Sequence, residues 1–298
     1  MALKQNSNMN GEFSSPPGTP PANDVLSTSL ENYVFPHGKL MRKMRDSSRT
    51  PLVLVACGSF SPPTFLHLRM FEIASDYARD NTDFEVIGGY MSPVSSAYKK
   101  DGLVAADARV DMCSLATQGH QWLSVDNFEA LNPVYVPTAQ CLDHFNLELE
   151  KLGGIETENG QRKKIRVALL AGADLISTFG TPGVWDPKDL DHILGTYGCF
   201  ILERMGTNID ESLVNLQQWI TNIWFINQPI MNDVSSTKIR LFLKKEMSIR
   251  YLIPTEVINY IYEHGLFDVK NGLANRDARD GGSNVKDVPA QNVDDPQA

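Results

Sequence analysis

Short, nearly continuous apolar runs alternate along the chain with segments in which apolar residues recur at helical spacing. The apolar runs are four to seven residues long, which suits strands that are covered on both faces of a sheet. These runs lie at Leu52–Cys57, Phe84–Tyr90, Trp122–Val125, Ile165–Ala171, Cys199–Leu202 and Ile223–Ile226. The helical segments lie at Phe65–Arg79, Ala105–Gln118, Thr138–Leu152, Leu190–Tyr197 and Leu213–Ile220.

This alternation of strand and helix predicts an α/β fold with a doubly wound, mostly parallel, Rossmann-like sheet and flanking helices. Two further helical segments, Thr237–Lys245 and Thr255–His264, predict a small C-terminal helical part. In such a sheet ligands bind beyond the carboxyl ends of the strands. The residues that directly follow the predicted strands are therefore the first candidates for a binding site.

Three segments lack any periodic apolar pattern and so limit the predicted domain. Residues 1–30 are rich in Asn, Ser, Pro and Gly, and residues 271–298 are rich in Asp, Asn and Gly. Neither segment can bury enough apolar surface to offset the entropy of ordering, so both are predicted to be disordered tails. The stretch near 153–164 is predicted to be a surface loop within one domain that covers residues 50–268.

Charge and cysteine content narrow the class of protein. A formal net charge of −9 over 298 residues argues against the broad basic face of a nucleic-acid-binding protein. The four cysteines form no CxxC pair, and the N-terminus has no apolar signal segment, which together favour a reducing compartment. We therefore expect an intracellular protein, cytoplasmic and/or nuclear, with no membrane span.

The first candidate site is the turn Gly58–His67, which joins the first predicted strand to the first predicted helix. A Gly at a strand end lets the backbone approach a phosphate closely, and the helix N-terminus offers unpaired N–H groups to an anion. Thr64 and His67 lie three residues apart, on one face of the first helical turn. An imidazole there can donate to a phosphate oxygen and stabilise developing charge. The turn contains neither a P-loop nor the three-glycine dinucleotide fingerprint.

The second candidate site is the segment Asn232–Arg240, which follows the last predicted strand and opens a helix. Ser and Thr are natural N-cap residues, so helix capping alone accounts for Ser235–Thr237. Capping does not account for Lys238 and Arg240, because the first turn of a helix prefers acidic residues. Hydroxyls, free N–H groups and two cations together predict a cradle for the β and γ phosphates of a nucleotide.

Both segments resemble signatures of the nucleotidyltransferase superfamily, which includes nicotinamide-nucleotide, phosphopantetheine and cytidylyl transferases. The first resembles the (H/T)xGH motif, with Thr64 in the first position and Leu66 in place of Gly. The second resembles the ISSTxxR signature, with Val234 in place of Ile. Similarity to the eukaryotic nicotinamide/nicotinate mononucleotide adenylyltransferases covers roughly residues 50–268. It includes Ser92–Val94, Ala97–Lys100, Gly172–Leu175, Gly183–Trp185 and Ser248–Leu252.

The resemblance implies a site for a pyridine mononucleotide. Lys100 would hold its phosphate by charge and Ser59 by a hydrogen bond. The nicotinamide ring would stack on Trp185 and on Tyr135, which stands where the family has a second tryptophan. The residues implied for this substrate are Ser59, Phe60, Lys100, Tyr135, Thr138 and Trp185.

The resemblance also implies a site for ATP, with His67, Lys238 and Arg240 as the catalytic charge stabilisers. Asp174 follows a buried strand and would accept hydrogen bonds from ribose hydroxyls. The residues implied for ATP are Gly58, His67, Gly172, Asp174, Arg204, Asn232, Ser235, Ser236, Thr237, Lys238 and Arg240.

The implied reaction is transfer of the adenylyl group of ATP to nicotinamide mononucleotide, and to nicotinic acid mononucleotide, with release of pyrophosphate. No protein nucleophile is needed, because the acceptor phosphate is already anionic. Mg²⁺ is expected to arrive with ATP, since no carboxylates are spaced as a dedicated metal cage. The expected partners are these small molecules and no nucleic acid, and a homo-oligomer is compatible with the sequence.

Two other functions stay open at this point. One is nucleotidyl transfer to a different phosphorylated acceptor, such as a phosphopantetheine or choline phosphate. The other is a nucleotide-binding chaperone or scaffold that keeps the fold without catalysis. Taken singly, Trp185 also fits a core residue and Asp174 an N-cap. Only the shared context of these residues favours the enzyme.

Overall fold

The fold is built around one six-stranded parallel sheet. The computed structural model describes residue 30 and residues 33–179, 184–203, 216–228 and 230–269. The strands of this sheet are β1 (Thr50–Gly58), β2 (Phe84–Pro93), β3 (Leu123–Val125), β6 (Arg166–Gly172), β7 (Cys199–Leu202) and β8 (Ile223–Ile226). Across the sheet they follow the order β3-β2-β1-β6-β7-β8, and every neighbouring pair is parallel.

Helices cover both faces of the sheet, so each central strand is apolar on both sides. In β1, Val53 and Val55 belong to the core on one face, whereas Leu52 and Leu54 belong to the core on the other. All four side chains are fully buried. This double burial explains why β1 appears in the sequence as an unbroken apolar run.

The helices occupy most of the predicted positions. They are α1 (Phe65–Asn81), α2 (Ala106–Thr117), α3 (Phe128–Leu131), α4 (Thr138–Lys151), α5 (Ala173–Phe179), α6 (Pro187–His192), α7 (Ser236–Lys244) and α8 (Thr255–Glu263). With α7 and α8 as the small C-terminal helical part, the predicted doubly wound fold is confirmed. None of the helices among the described residues combines the length and the apolarity that crossing a bilayer requires.

Several local predictions differ from the structure. The helix predicted from Leu190 begins at Pro187, because the Asp186 carboxylate caps the Lys188 N–H at 2.8 Å, and it passes into a π-helical turn at Ile193–Tyr197. Of the helix predicted over Leu213–Ile220, residues 213–215 lie outside the described residues, and the rest enters a 3₁₀ helix at Gln217–Asn222. The short helices α3 and α5 were not predicted.

The segment near 153–164 contains a two-stranded antiparallel hairpin, β4 (Ile155–Glu156) with β5 (Arg162–Lys163). Gly154, directly before β4, has φ +79°, and a Cβ there would lie 2.2 Å from the Lys163 carbonyl oxygen. This position therefore requires glycine. Strands of two residues are too short to produce a period in the sequence. The predicted tails, residues 1–30 and 271–298, lie almost wholly outside the described residues, and the predicted domain limits stay predictions.

The sheet order also fixes where a ligand can bind. From β1 the chain proceeds to β2 and β3 on one side, and then to β6, β7 and β8 on the other. Between β1 and β6 the connections therefore diverge, which opens a crevice at the carboxyl ends of these two strands.

Candidate active site

A cavity of about 580 Å³ lies at this crevice. Its wall is formed by the end of β1 and the following turn, the start of α1, the end of β6, and the N-terminus of α7. Most of the predicted site residues line it. Those residues are Gly58, Ser59, Phe60, His67, Lys100, Tyr135, Thr138, Gly172, Asp174, Trp185, Ser235, Ser236, Thr237 and Arg240.

Two of the predicted residues that the structure describes are not in the cavity wall. Lys238 is exposed and pairs with the carboxylate of Asp233. Asn232 accepts a hydrogen bond from the Val234 N–H at 2.9 Å, which shapes the turn before α7. Arg204 lies outside the described residues. Of the two cations predicted in the second motif, the structure brings only Arg240 to the cavity.

The turn after β1 is folded tightly around Phe60. Phe60 has φ +44°, and its ring lies 5.2 Å from the imidazole of His67, edge to face. A Cβ on Gly58 would meet the Phe60 ring at 3.0 Å. Gly58 is therefore needed to make room for this ring, a packing role that adds to the predicted approach of the backbone to a phosphate.

His67 is held in one orientation by the N-cap of α1. The Thr64 N–H donates to His67 Nδ1 at 2.9 Å, and Thr64 Oγ1 lies 2.9 Å from the same nitrogen. A backbone N–H can only donate, so Nδ1 accepts and the neutral ring carries its proton on Nε2. In this tautomer Nε2–H is the group of the ring that can donate to a phosphate oxygen.

Hydrogen bonds tie the two motifs directly to each other. Ser236 Oγ donates to the Pro62 carbonyl at 2.8 Å, and Arg240 Nη1 donates to the Ser61 carbonyl at 2.8 Å. The Ser61 hydroxyl donates in turn to the Gly102 carbonyl at 2.8 Å. These bonds place the turn after β1, the 101–104 segment and the N-terminus of α7 around one space.

A buried guanidinium that sequence reasoning missed supports the same turn. Arg109 on α2 is fully buried and donates to three carbonyls, those of Val104 at 2.9 Å, Ser59 at 3.1 Å and Val94 at 2.5 Å. Burial lowers its pKa. Nothing in the sequence distinguishes this arginine from a solvated one on the same helix.

Lys100 supplies positive charge near the turn. Its ammonium has no carboxylate or carbonyl partner within the part of the chain that the structure describes. Desolvation, and then the neighbouring Arg240 charge, lower the pKa of Lys100. Two neighbouring cations favour an anion between them.

Aromatic side chains also line the cavity. Tyr135 stacks on Tyr98, with centroids 5.5 Å apart and planes inclined by 28°; Tyr98 also lines the cavity and was not predicted. Trp185 donates from Nε1 to Thr178 Oγ1 at 2.9 Å and packs edge-on against Phe179. These contacts fix both predicted aromatic residues at the cavity wall.

Comparison with known proteins agrees with this geometry. Residues 55–242 match the family described as Cytidylyltransferase-like. The chain belongs to the cytidylyltransferase-like family. The match begins within β1 and ends within α7, so the family region contains both motifs, the second half of β1 and the other five strands of the six-stranded sheet.

Two curated relatives of this chain carry the name of the enzymes that its motifs resemble. The resemblance to those enzymes is therefore confirmed. Nicotinamide/nicotinic acid mononucleotide adenylyltransferase 1 of Saccharomyces cerevisiae is 49% identical over 259 residues, covering 84% of this chain and 65% of that protein. The protein of the same name from Bos taurus is 37% identical over 256 residues, covering 75% of this chain and 91% of that one. The chain thus spans less than two thirds of the yeast relative's length.

A solved structure has the same fold. It is nicotinic acid mononucleotide adenylyltransferase of Plasmodium falciparum complexed with NaAD, with a TM-score of 0.55 and 19% identity. The alignment covers 74% of this chain and 99% of that chain. At this identity the likeness extends to the fold of the family alone.

Proposed function

We propose that the protein transfers the adenylyl group of MgATP to nicotinamide mononucleotide, and to nicotinic acid mononucleotide, with release of pyrophosphate. The names of the yeast and bovine relatives support both acceptors. The observation that carries the proposal is the direct bonding between the two motifs, Ser236 to Pro62 and Arg240 to Ser61, around one cavity.

The reaction needs positioning and charge neutralisation more than a protein nucleophile. A phosphate oxygen of the mononucleotide attacks the α-phosphorus of ATP, the new P–O bond forms in line, and pyrophosphate leaves with the bonding electrons. His67 Nε2–H would donate to the α-phosphate as charge develops. Arg240 and the N-terminal N–H groups of α7 would hold the leaving pyrophosphate. Lys238 would have to leave Asp233 in order to join them.

The acceptor would bind in the same cavity, next to ATP. Lys100 would bind its phosphate by charge and Ser59 by a hydrogen bond, with Phe60 and Thr138 beside them. Tyr135 and Trp185 would present ring faces and edges to the pyridine ring. Gly172 and Asp174, at the end of β6, would hold the ribose of ATP.

Mg²⁺ would enter the site bound to ATP, as part of the substrate. It prefers oxygen ligands at octahedral geometry and retains several waters. The group of potential metal ligands that the described residues bring together contains two thiols, which suit a softer ion. The phosphates of ATP would therefore supply most of the non-water ligands of the Mg²⁺ ion. Its charge would reduce the repulsion between the two anionic substrates.

The proposed compartment is supported by the chemistry of the cysteine side chains. All four cysteines are free thiols, although two of them lie within contact distance of each other. This supports the expectation of a reducing intracellular compartment, cytoplasmic or nuclear.

The test is an acceptor panel with the purified full-length chain. MgATP is supplied with nicotinamide mononucleotide, nicotinic acid mononucleotide, phosphopantetheine or choline phosphate, and pyrophosphate release is followed. We expect turnover with both pyridine mononucleotides and at least about 100-fold lower kcat/KM with the other acceptors. Preferred turnover of phosphopantetheine or choline phosphate would replace the proposed acceptor. Nucleotide binding without pyrophosphate release from any acceptor would favour the scaffold function.

A further inference from the structure

Two thiols and a carboxylate meet at the inner end of the active-site cavity. Cys57 Sγ, at the end of β1, lies 3.4 Å from Cys141 Sγ on α4. Cys141 Sγ lies 3.1 Å from Glu129 Oε1 on α3. The three ligand atoms all lie within 4.8 Å of one another. We call Cys57, Glu129 and Cys141 the dithiol–carboxylate cluster.

The cluster has a supporting hydrogen bond and an opening. Ser92 Oγ, on β2, donates to Glu129 Oε1 at 2.6 Å, which orients the carboxylate as an outer partner orients a metal ligand. Cys141 is fully buried and Glu129 is 2% exposed. Cys57 and Glu129 line the cavity, so an ion can reach the cluster by the route that a substrate would use.

The dimensions of the cluster suit tetrahedral coordination of a soft divalent ion. Metal–sulfur bonds of about 2.3 Å and metal–oxygen bonds of about 2.1 Å imply tetrahedral edges of about 3.8 Å between sulfurs and about 3.6 Å between sulfur and oxygen. The observed separations are 3.4 Å and 3.1 Å. An expansion of about half an ångström therefore accommodates the ion. Two sulfurs and one oxygen favour zinc and cadmium over magnesium.

Burial disfavours the charged thiolates that coordinate a metal ion, but the positive charge of the bound ion offsets this cost. Burial raises the pKa of the Cys141 thiol well above its usual range and raises the pKa of Glu129 to about 7. A divalent cation that replaces the two thiol protons leaves the net charge of the site unchanged when Glu129 is ionised. Binding then releases two protons and tightens as the pH rises.

We propose that the dithiol–carboxylate cluster binds one soft divalent cation of the zinc and cadmium class, with its fourth coordination position open to the cavity. Tyr135 is near enough to the cluster for the charges of Glu129, Cys57 and Cys141 to act on its hydroxyl, so occupancy also weakens binding of the mononucleotide. This second part rests on the proposed function. Cation binding itself does not rest on the proposed function. Separate experiments measure cation binding and its effect on the mononucleotide.

Cation binding is tested by titrating the reduced full-length chain with Cd²⁺ alone and following thiolate-to-cadmium charge-transfer absorption in the ultraviolet. We expect one Cd²⁺ per chain bound through two thiolates. C141S keeps a hydroxyl donor for Glu129 but removes a soft ligand, and should weaken binding at least about tenfold. C113S, which changes a buried thiol on α2 outside the cluster, is the matched control and should bind as wild type does.

Three outcomes overturn the proposal: no charge-transfer band in the wild type, equal affinity in C141S, or an equal loss in C113S. Circular dichroism and thermal melting check that C141S folds. If it does not, E129Q takes its place, since the amide keeps the volume of the side chain but is a poor ligand. The same three outcomes then apply to E129Q.

The effect on the substrate is tested in the pyrophosphate assay with Mg²⁺ present. We expect Cd²⁺ to raise KM for the mononucleotide at least about fivefold in the wild type and to leave KM unchanged in C141S. Cys141 does not line the cavity, so C141S should turn over as wild type does without Cd²⁺. Equal inhibition of both chains would remove the link to the substrate. If no acceptor is adenylated at all, the proposed function fails while the absorption titration still decides the cation site.

Discussion

The backbone N–H of Thr64 donates a hydrogen bond to Nδ1 of His67 at 2.9 Å. The bond caps the first turn of α1 and at the same time fixes which ring nitrogen carries the proton. Helix stability and the proposed chemistry thus depend on different nitrogens of one imidazole. Substitutions can separate the two.

For His67, we expect H67A to lose about two to four orders of magnitude in kcat and about 1 kcal/mol of unfolding free energy, because the cap is lost as well. H67N retains an acceptor where Nδ1 lies but has no group at the position of Nε2. It should therefore unfold like the wild type in urea while turning over as slowly as H67A. Near-normal pyrophosphate release by H67N would contradict the role given to Nε2.

For Tyr135, we expect Y135A to raise KM for the mononucleotide about tenfold and to leave KM for ATP nearly unchanged. The loss includes the stack with Tyr98, which holds the ring at the cavity wall. Y135F keeps the ring and serves as the control. Steady-state kinetics with each substrate varied in turn gives both constants. If both KM values rose together in Y135A, the ring would not belong to the mononucleotide side.

For Arg109, we expect R109A to cost about 3–5 kcal/mol of unfolding free energy, because one buried and two partly buried carbonyls lose their donor. R109K retains the charge but cannot reach all three carbonyls, so its cost should be intermediate. R69A changes an exposed arginine on α1 and should stay within about 0.5 kcal/mol of wild type. Urea unfolding measures all three. An R109A chain as stable as R69A would show that the carbonyls find other donors.

For Glu129, the pH dependence of stability carries the prediction. Burial raises its pKa from 4.5 to about 7, so the folded chain retains a proton that the unfolded chain releases. The unfolding free energy of the wild type therefore falls as the pH rises from about 4.5 to about 7, by about 3 kcal/mol in all. E129Q has no such proton, and its stability relative to wild type should grow by that amount over the same interval.

Urea unfolding at a series of pH values measures this difference, with E256Q on the exposed face of α8 as the control. The control should follow the wild type at every pH. A constant difference between E129Q and wild type would mean that Glu129 titrates in the folded chain as it does in the unfolded one.

The sequence predicted the parts of the fold and site that depend on neighbours along the chain. Strand β1 is buried on both faces, so its apolar run is unbroken, and the turn after it carries its own signature. Contacts between distant segments leave no such signal. Cys57 and Cys141 are 84 residues apart yet in contact, and neither spacing nor composition indicates the pairing. At Lys238 the motif predicts a phosphate contact, and the structure pairs its ammonium with Asp233 on the surface, so that contact stays a prediction.

The three carbonyls that Arg109 binds come from the turn after β1, the segment after β2 and the segment before α2. The full set of these hydrogen bonds therefore requires all three segments, and in a partly folded chain the proposed nucleotide pocket would be incomplete. A ligand that binds only the assembled chain stabilises it by mass action, by about 2.7 kcal/mol at a concentration 100 times its Kd. The nucleotide supply of the cell would then set how much of this protein survives unfolding and proteolysis, as well as how fast it works.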